Sequence, residues 1–158
     1  MKRSLVFLLL LLPVLSMAQK TDFSGKWELN LRKTDFKQAP EWLVPRSLEV
    51  KQKTDAIIIQ ARIYDKEMVG HYYTETLSFD GTTRQTATYG SNKRTVSLKW
   101  EYGDKSFVLS VHAVTDGADA GSDFTETWSL ENDGKTLVLD RVATQYGDYS
   151  IKAYYEKK

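Results

Sequence analysis

Apolar and polar residues alternate with a period of two along most of the chain after residue 22. Phe23, Gly25, Trp27, Leu29 and Leu31 fall on one face, and Lys26, Glu28, Asn30 and Arg32 on the other. Successive side chains of a strand point to opposite faces, so this run predicts a strand with one face buried. The same rule picks out Leu48 with Val50, then Ile57, Ile59, Ala61 and Ile63, and a long run from Val69 to Phe79. It continues through Val96, Leu98 and Trp100, through Phe107, Leu109 and Val111, and through Phe124, Trp128 and Leu130. Leu137 with Leu139 and the stretch from Ile151 to Tyr155 complete the set, and a weaker polar run, Thr82 to Thr88, is expected to pair as well. Helical periodicity is nearly absent.

Asp80-Gly81, Gly103-Asp104 and Asp133-Gly134 supply short turns whose residues tolerate positive φ. They join neighbours, so the strand order is expected to be a meander. A sheet of this length left open would present two raw edges, which closure removes. The pattern therefore predicts an all-β fold, an antiparallel up-and-down β-barrel of about eight to ten strands. Thr34 to Pro45 breaks the alternation. Its prolines at 40 and 45 forbid a long helix, so it reads as a loop with at most one helical turn across one mouth of the barrel.

Residues 1–18 read differently from the rest. Lys2 and Arg3 precede an apolar run from Leu5 to Leu15, and Ser16 and Ala18 place small residues before a cleavage point. This is the form of a secretory signal peptide, too short and wrongly flanked for a membrane span. The expectation is a leader over 1–18, one domain over 19–158, and an exported protein, periplasmic or secreted. The 22 basic side chains fall to 20 when Lys2 and Arg3 leave with the leader, against 21 acidic ones. A near-neutral charge gives no attraction for nucleic acid. No later stretch is long and apolar enough to span a bilayer. The chain has no cysteine, so it has neither disulfides nor a thiolate zinc site.

With the barrel argued, Gly25-Lys26-Trp27 resembles the Gly-x-Trp motif of the calycins, the superfamily of lipocalins and fatty-acid-binding proteins. The likeness extends to exported bacterial lipocalin-like proteins. It implies that Trp27 plugs the closed end of the barrel and that Gly25 lets the first strand bend. It also implies a basic side chain from a late strand over that tryptophan, for which Arg141 is the match by position. Tyr154-Tyr155-Glu156-Lys157 is similar to the last strand of the intracellular fatty-acid-binding proteins. Two departures stand out. Ala153 occupies the place of an arginine that grips a carboxylate in that family, and the lid is a proline-bearing loop rather than two helices.

Parity also says which polar residues face inward. Glu75 lies between Tyr73 and Leu77, Glu126 between Phe124 and Trp128, and His71, Gln85 and Arg94 share inward parity. A carboxylate facing a core is costly unless it is paired or reaches water. Two readings follow: a pocket with polar anchors, or a structural network inside a filled barrel. The expected function is the binding of a small, partly apolar molecule in the interior. Tyr73, Trp100, Phe107 and Trp128 are then walls, Glu75, Arg94 and Glu126 orient polar groups, and Tyr155 joins them. The alternative is an extracytoplasmic interaction module with a filled barrel, whose support is the outward set Tyr64, Tyr72, Tyr102 and Tyr154.

An enzyme is not expected. The only imidazole bases are His71 and His112, and the glutamates offer only a remote glycosidase pair. No cofactor and no metal is expected. The segment Thr115 to Asp123 is rich in aspartate and glycine, but its spacing does not match a calcium loop, and it reads as a solvated turn.

Overall fold

The computed structural model describes residues 20–114, 121–143 and 148–158. The leader expected over 1–18 and most of the aspartate-rich segment lie outside these residues. The described chain forms ten antiparallel strands. They are β1 Gly25–Leu29, β2 Ser47–Gln52, β3 Ala56–Tyr64, β4 Gly70–Ser78 and β5 Arg84–Ala87. β6 Lys93–Glu101, β7 Ser106–Val114, β8 Ser122–Glu131, β9 Thr136–Ala143 and β10 Tyr149–Lys157 follow. A single 3₁₀ turn, Glu41–Leu43, sits in the loop between β1 and β2, as the prolines require.

Each strand pairs with its sequence neighbour, except at one place. β1 returns to β10, with Trp27 opposite Lys157 and Leu29 opposite Tyr155, and this pairing curls the sheet into a barrel. β4 and β5 run side by side, yet no ladder joins them among the described residues. The expected closure therefore holds all round except along this seam. At its mouth-facing end His71 of β4 stacks on Tyr89 of the β5–β6 turn, with ring centroids 4.4 Å apart. His71 Nε2 also lies 2.9 Å from Asp65 Oδ2.

The two barrel ends differ. At the end holding the β2–β3, β4–β5, β6–β7 and β8–β9 turns, aromatic rings fill the interior. Phe23 meets Phe107 edge-on at 4.8 Å, Phe107 stacks on Trp128 at 5.2 Å, and Trp100 meets Phe79 and Phe107 at 5.3 and 5.5 Å. Trp27 is 1% exposed there and donates its indole N–H to the Phe23 carbonyl at 3.0 Å. Gly25 has φ +148°, a conformation open to glycine and strained for any residue with a Cβ, so the bend at the start of β1 needs it.

Three local expectations change. Leu31, placed on the buried face by parity, is exposed, because β1 stops at Leu29. The chain turns there on Asn30, whose carbonyl accepts from the amides of Lys33 and Thr34. Gln85 points outward rather than inward, because β5 pairs Thr86 with Arg94 and Gln85 with Thr95. The side chain over Trp27 is Lys157, its Nζ 5.1 Å from the ring centroid, and not Arg141. Lys157 is paired directly opposite Trp27, whereas Arg141 belongs to the far half of β9 and lies over Phe124 at 4.4 Å.

Candidate functional site

The other end of the barrel is hollow. A cavity of about 710 Å³ opens under the 3₁₀ turn, between the β3–β4 and β5–β6 turns and the adjoining ends of β7 to β10. Its apolar wall includes Trp42, Leu43, Ile63, Ala113 and Phe124, and its polar wall includes Tyr73, Arg94, Arg141 and Tyr149. That volume lies within the range of small-molecule sites, which are concave, mostly apolar and fitted with a few polar groups. Room for the long side chains comes from small residues opposite them. Tyr73 on β4 pairs with Ala61 on β3, and Arg94 on β6 with Ala113 on β7.

Beneath the cavity lies a buried polar layer. Register creates half of it: Glu126 of β8 sits directly opposite Arg141 of β9. Arg141 Nη2 donates to Glu126 Oε1, its Nη1 donates to the Leu43 carbonyl, and Trp128 Nε1 donates to Glu126 Oε2 at 3.1 Å. Glu126 and Arg141 are 2% and 4% exposed, so water screens their attraction little. Burial acts to raise the Glu126 carboxyl, but Arg141, Arg94 and the Trp128 hydrogen bond outweigh it and hold the group below its ordinary range. Tyr155 donates its hydroxyl to the Pro45 carbonyl at 2.9 Å. Two buried side chains of the layer, Arg141 and Tyr155, thus pin the covering loop at Leu43 and Pro45.

The second half is looser. Arg94 Nη1 donates to the Tyr73 hydroxyl at 2.9 Å, and Arg94 Nε lies 3.3 Å from Glu75 Oε2. That last contact misses hydrogen-bond geometry, and both atoms are buried without a hydrogen bond. Burial dominates at Glu75 and pushes its carboxyl up; Arg94 pulls it down and Glu126 pushes it further up. Burial likewise drives the Tyr73 and Tyr155 hydroxyls far up, so both stay protonated.

The two glutamates thus have opposite pH signatures. The folded value of Glu75 lies above its ordinary 4.5, so the stability linked to its proton is full below that value. It is lost as pH rises through the folded value. Glu75→Gln removes the titration, and we expect its urea midpoint to fall less between pH 5 and 9 than that of the wild type. Parallel declines in the two proteins would contradict the assignment.

The residues expected to form one site separate by depth. Tyr73 and Arg94 line the cavity, and Glu75, Glu126 and Tyr155 form the layer beneath it. Trp100, Phe107 and Trp128, expected as walls, instead pack the closed end, though Trp128 touches the polar layer through its indole N–H. Parity gives the face of a residue but not its height in the barrel. Phe124 and Tyr149 are cavity residues that were not singled out, although inward parity with Glu126 and with Tyr155 marks them. Trp42 sits at the mouth with Lys66 Nζ 5.8 Å from its ring. The described residues contain no cluster of three or more His, Asp or Glu side chains arranged to hold a metal ion. They also contain no helix long and apolar enough to cross a membrane.

No protein-family model and no curated protein matches the chain. Among solved structures, the zebrafish ileal bile acid-binding protein complexed with cholic acid superposes with a TM-score of 0.54 and 17% identity, over 86% of this chain and 98% of that one. The chain has the calycin fold. In this calycin barrel, Gly25 and Trp27 hold the closed-end position that the Gly-x-Trp resemblance implied, with Lys157 as the basic partner. The polar layer of the barrel sets two arginines against two glutamates.

Proposed function

We propose that the protein is an exported lipocalin-like carrier that binds a small amphipathic molecule in the mouth of its barrel. The observation that carries this reading is the cavity of about 710 Å³, with an apolar wall and with Arg94, Tyr73 and Arg141 at its base. The fold neighbour, crystallised with cholic acid, supports an amphipathic occupant. Export rests on the form of residues 1–18.

We assign the protein no reaction. Glu75 and Glu126 lie behind the cavity lining, and Glu126 is committed to Arg141 and Trp128. The interaction-module reading has less support, because its tyrosines scatter. Tyr64 and Tyr72 flank Arg62 on β3 and β4, Tyr102 lies in the β6–β7 turn, and Tyr154 is on β10, three ladders from β3.

Native mass spectrometry of the purified protein tests the carrier reading, together with fluorescence titration of amphipathic naphthalene dyes. We expect a small-molecule adduct or saturable dye binding, weakened by Ala113→Trp, which fills the cavity from β7. A protein that carries no adduct and binds no dye would overturn it.

A further inference from the structure

We propose that ligand binding is coupled to the protonation of Glu75, which decides how much of the charge on Arg94 is free to hold an acidic head group. The inference rests on the mouth cavity being the ligand site, and it adds both the chemistry of the occupant and the condition for its release.

Arg94 is placed between two anionic claims. On one side it lines the cavity. On the other its Nε lies 3.3 Å from Glu75 Oε2, and neither atom has a hydrogen bond. The second ion pair of the layer is different. Glu126 accepts from Arg141 and Trp128, and Arg141 spends its other terminal nitrogen on the Leu43 carbonyl. One pair is joined by a hydrogen bond and the other is not, so the loose one is the adjustable element. With Glu75 ionised, two interior cations face two anions. With Glu75 protonated, two cations face Glu126 alone, and one positive charge is left at the base of the cavity.

The neighbours of Glu75 allow no other nearby group to take over this role. From β6 it faces Arg94 and from β8 it feels Glu126, while Arg141 of β9 and Tyr155 of β10 act on Glu126 in the same buried layer. Its own strand adds Tyr73 and, towards the mouth, His71. On β5, Arg84 shares the inward register but is exposed. The inward residues of β1, β2, β3 and β7 around it are apolar. Burial already lifts the Glu75 carboxyl, and Arg94 is the group that pulls it down. An anion beside Arg94 offsets that pull and adds repulsion, so the carboxyl rises further when the cavity is filled. Binding then takes up a proton in the window between the free and bound values, and affinity falls as pH rises through that window.

The test uses the purified protein and two dyes. 8-Anilinonaphthalene-1-sulfonate keeps its negative charge across the range, and N-phenyl-1-naphthylamine is neutral near and above pH 5. We expect the affinity of the wild type for the sulfonate to fall with pH between 5 and 9, by at most about tenfold per unit for one linked proton. The neutral amine should bind with no such slope. Glu75→Gln should bind the sulfonate at the tight, low-pH level throughout, and Arg94→Gln at the weak, high-pH level. Calorimetry of the wild type in two buffers of different ionisation heat should show proton uptake with the sulfonate, a readout that needs no variant to fold. A pH-independent sulfonate affinity, a slope retained in Glu75→Gln, or the same slope with the neutral dye would overturn the coupling and leave the carrier reading standing. Failure of both dyes to bind would overturn the carrier reading and the coupling together.

Discussion

Arg141→Met, with Glu126 left in place, is expected to cost about 3–5 kcal/mol of stability, the usual consequence of removing one partner of a buried ion pair. The substitution strands a carboxylate that is 2% exposed, leaves it only the Trp128 indole N–H, and takes a donor from the Leu43 carbonyl. The loss should depend on pH with a reversed sign. In the wild type, Glu126 is held below its ordinary 4.5, so its contribution is present above that value and disappears as pH falls through the folded value. In the variant the uncompensated carboxylate resists ionisation, and acidification should recover stability. Replacing both partners, Arg141→Met with Glu126→Leu, should restore much of the loss, since apolar packing commonly replaces a buried pair at little cost. Urea unfolding of the wild type, the single and the double variant at pH 5 and 8 checks this. A single variant as stable as the wild type at pH 8 would show that the pair is not what holds the layer together.

Trp27→Ala is the second large effect, expected at about 3–5 kcal/mol for truncating a buried tryptophan. Trp27 is almost fully covered, bonds to the Phe23 carbonyl and carries Lys157 on its face. Removing the indole opens a hole in the core cluster that also holds Phe23, Phe107 and Trp128. Trp27→Phe keeps most of the volume but loses the donor, and should cost clearly less. Thermal or urea unfolding distinguishes the two. Equal losses would mean that the indole N–H, and not the filled volume, is what matters.

The sequence states faces well and heights poorly. Period-two alternation set the buried side of every strand but β5, so the inward setting of Glu75, Arg94 and Glu126 was legible, as were the turns at Gly103-Asp104 and Asp133-Gly134, where φ is positive. Register was not. Which rung of β9 faces Glu126 depends on ladder pairing, and that pairing is why Arg141 joins the polar layer while Lys157 covers Trp27. Gln85 failed for the same reason: a four-residue strand with polar side chains on both faces has no hydrophobic signal to set its phase. Trp100, Phe107 and Trp128 look like pocket walls by composition, and only their shared height beside the β6–β7 and β8–β9 turns shows that they fill the closed half.

The seam between β4 and β5 has its own consequence. An unladdered strand edge on most proteins is a template for another chain. Here the two free edges face each other across one narrow strip, and at the mouth the stacked rings of His71 and Tyr89 bridge it. The barrel is built like a clasped bracelet. It can widen at one line without breaking any ladder, while keeping its sticky margins turned inward on itself.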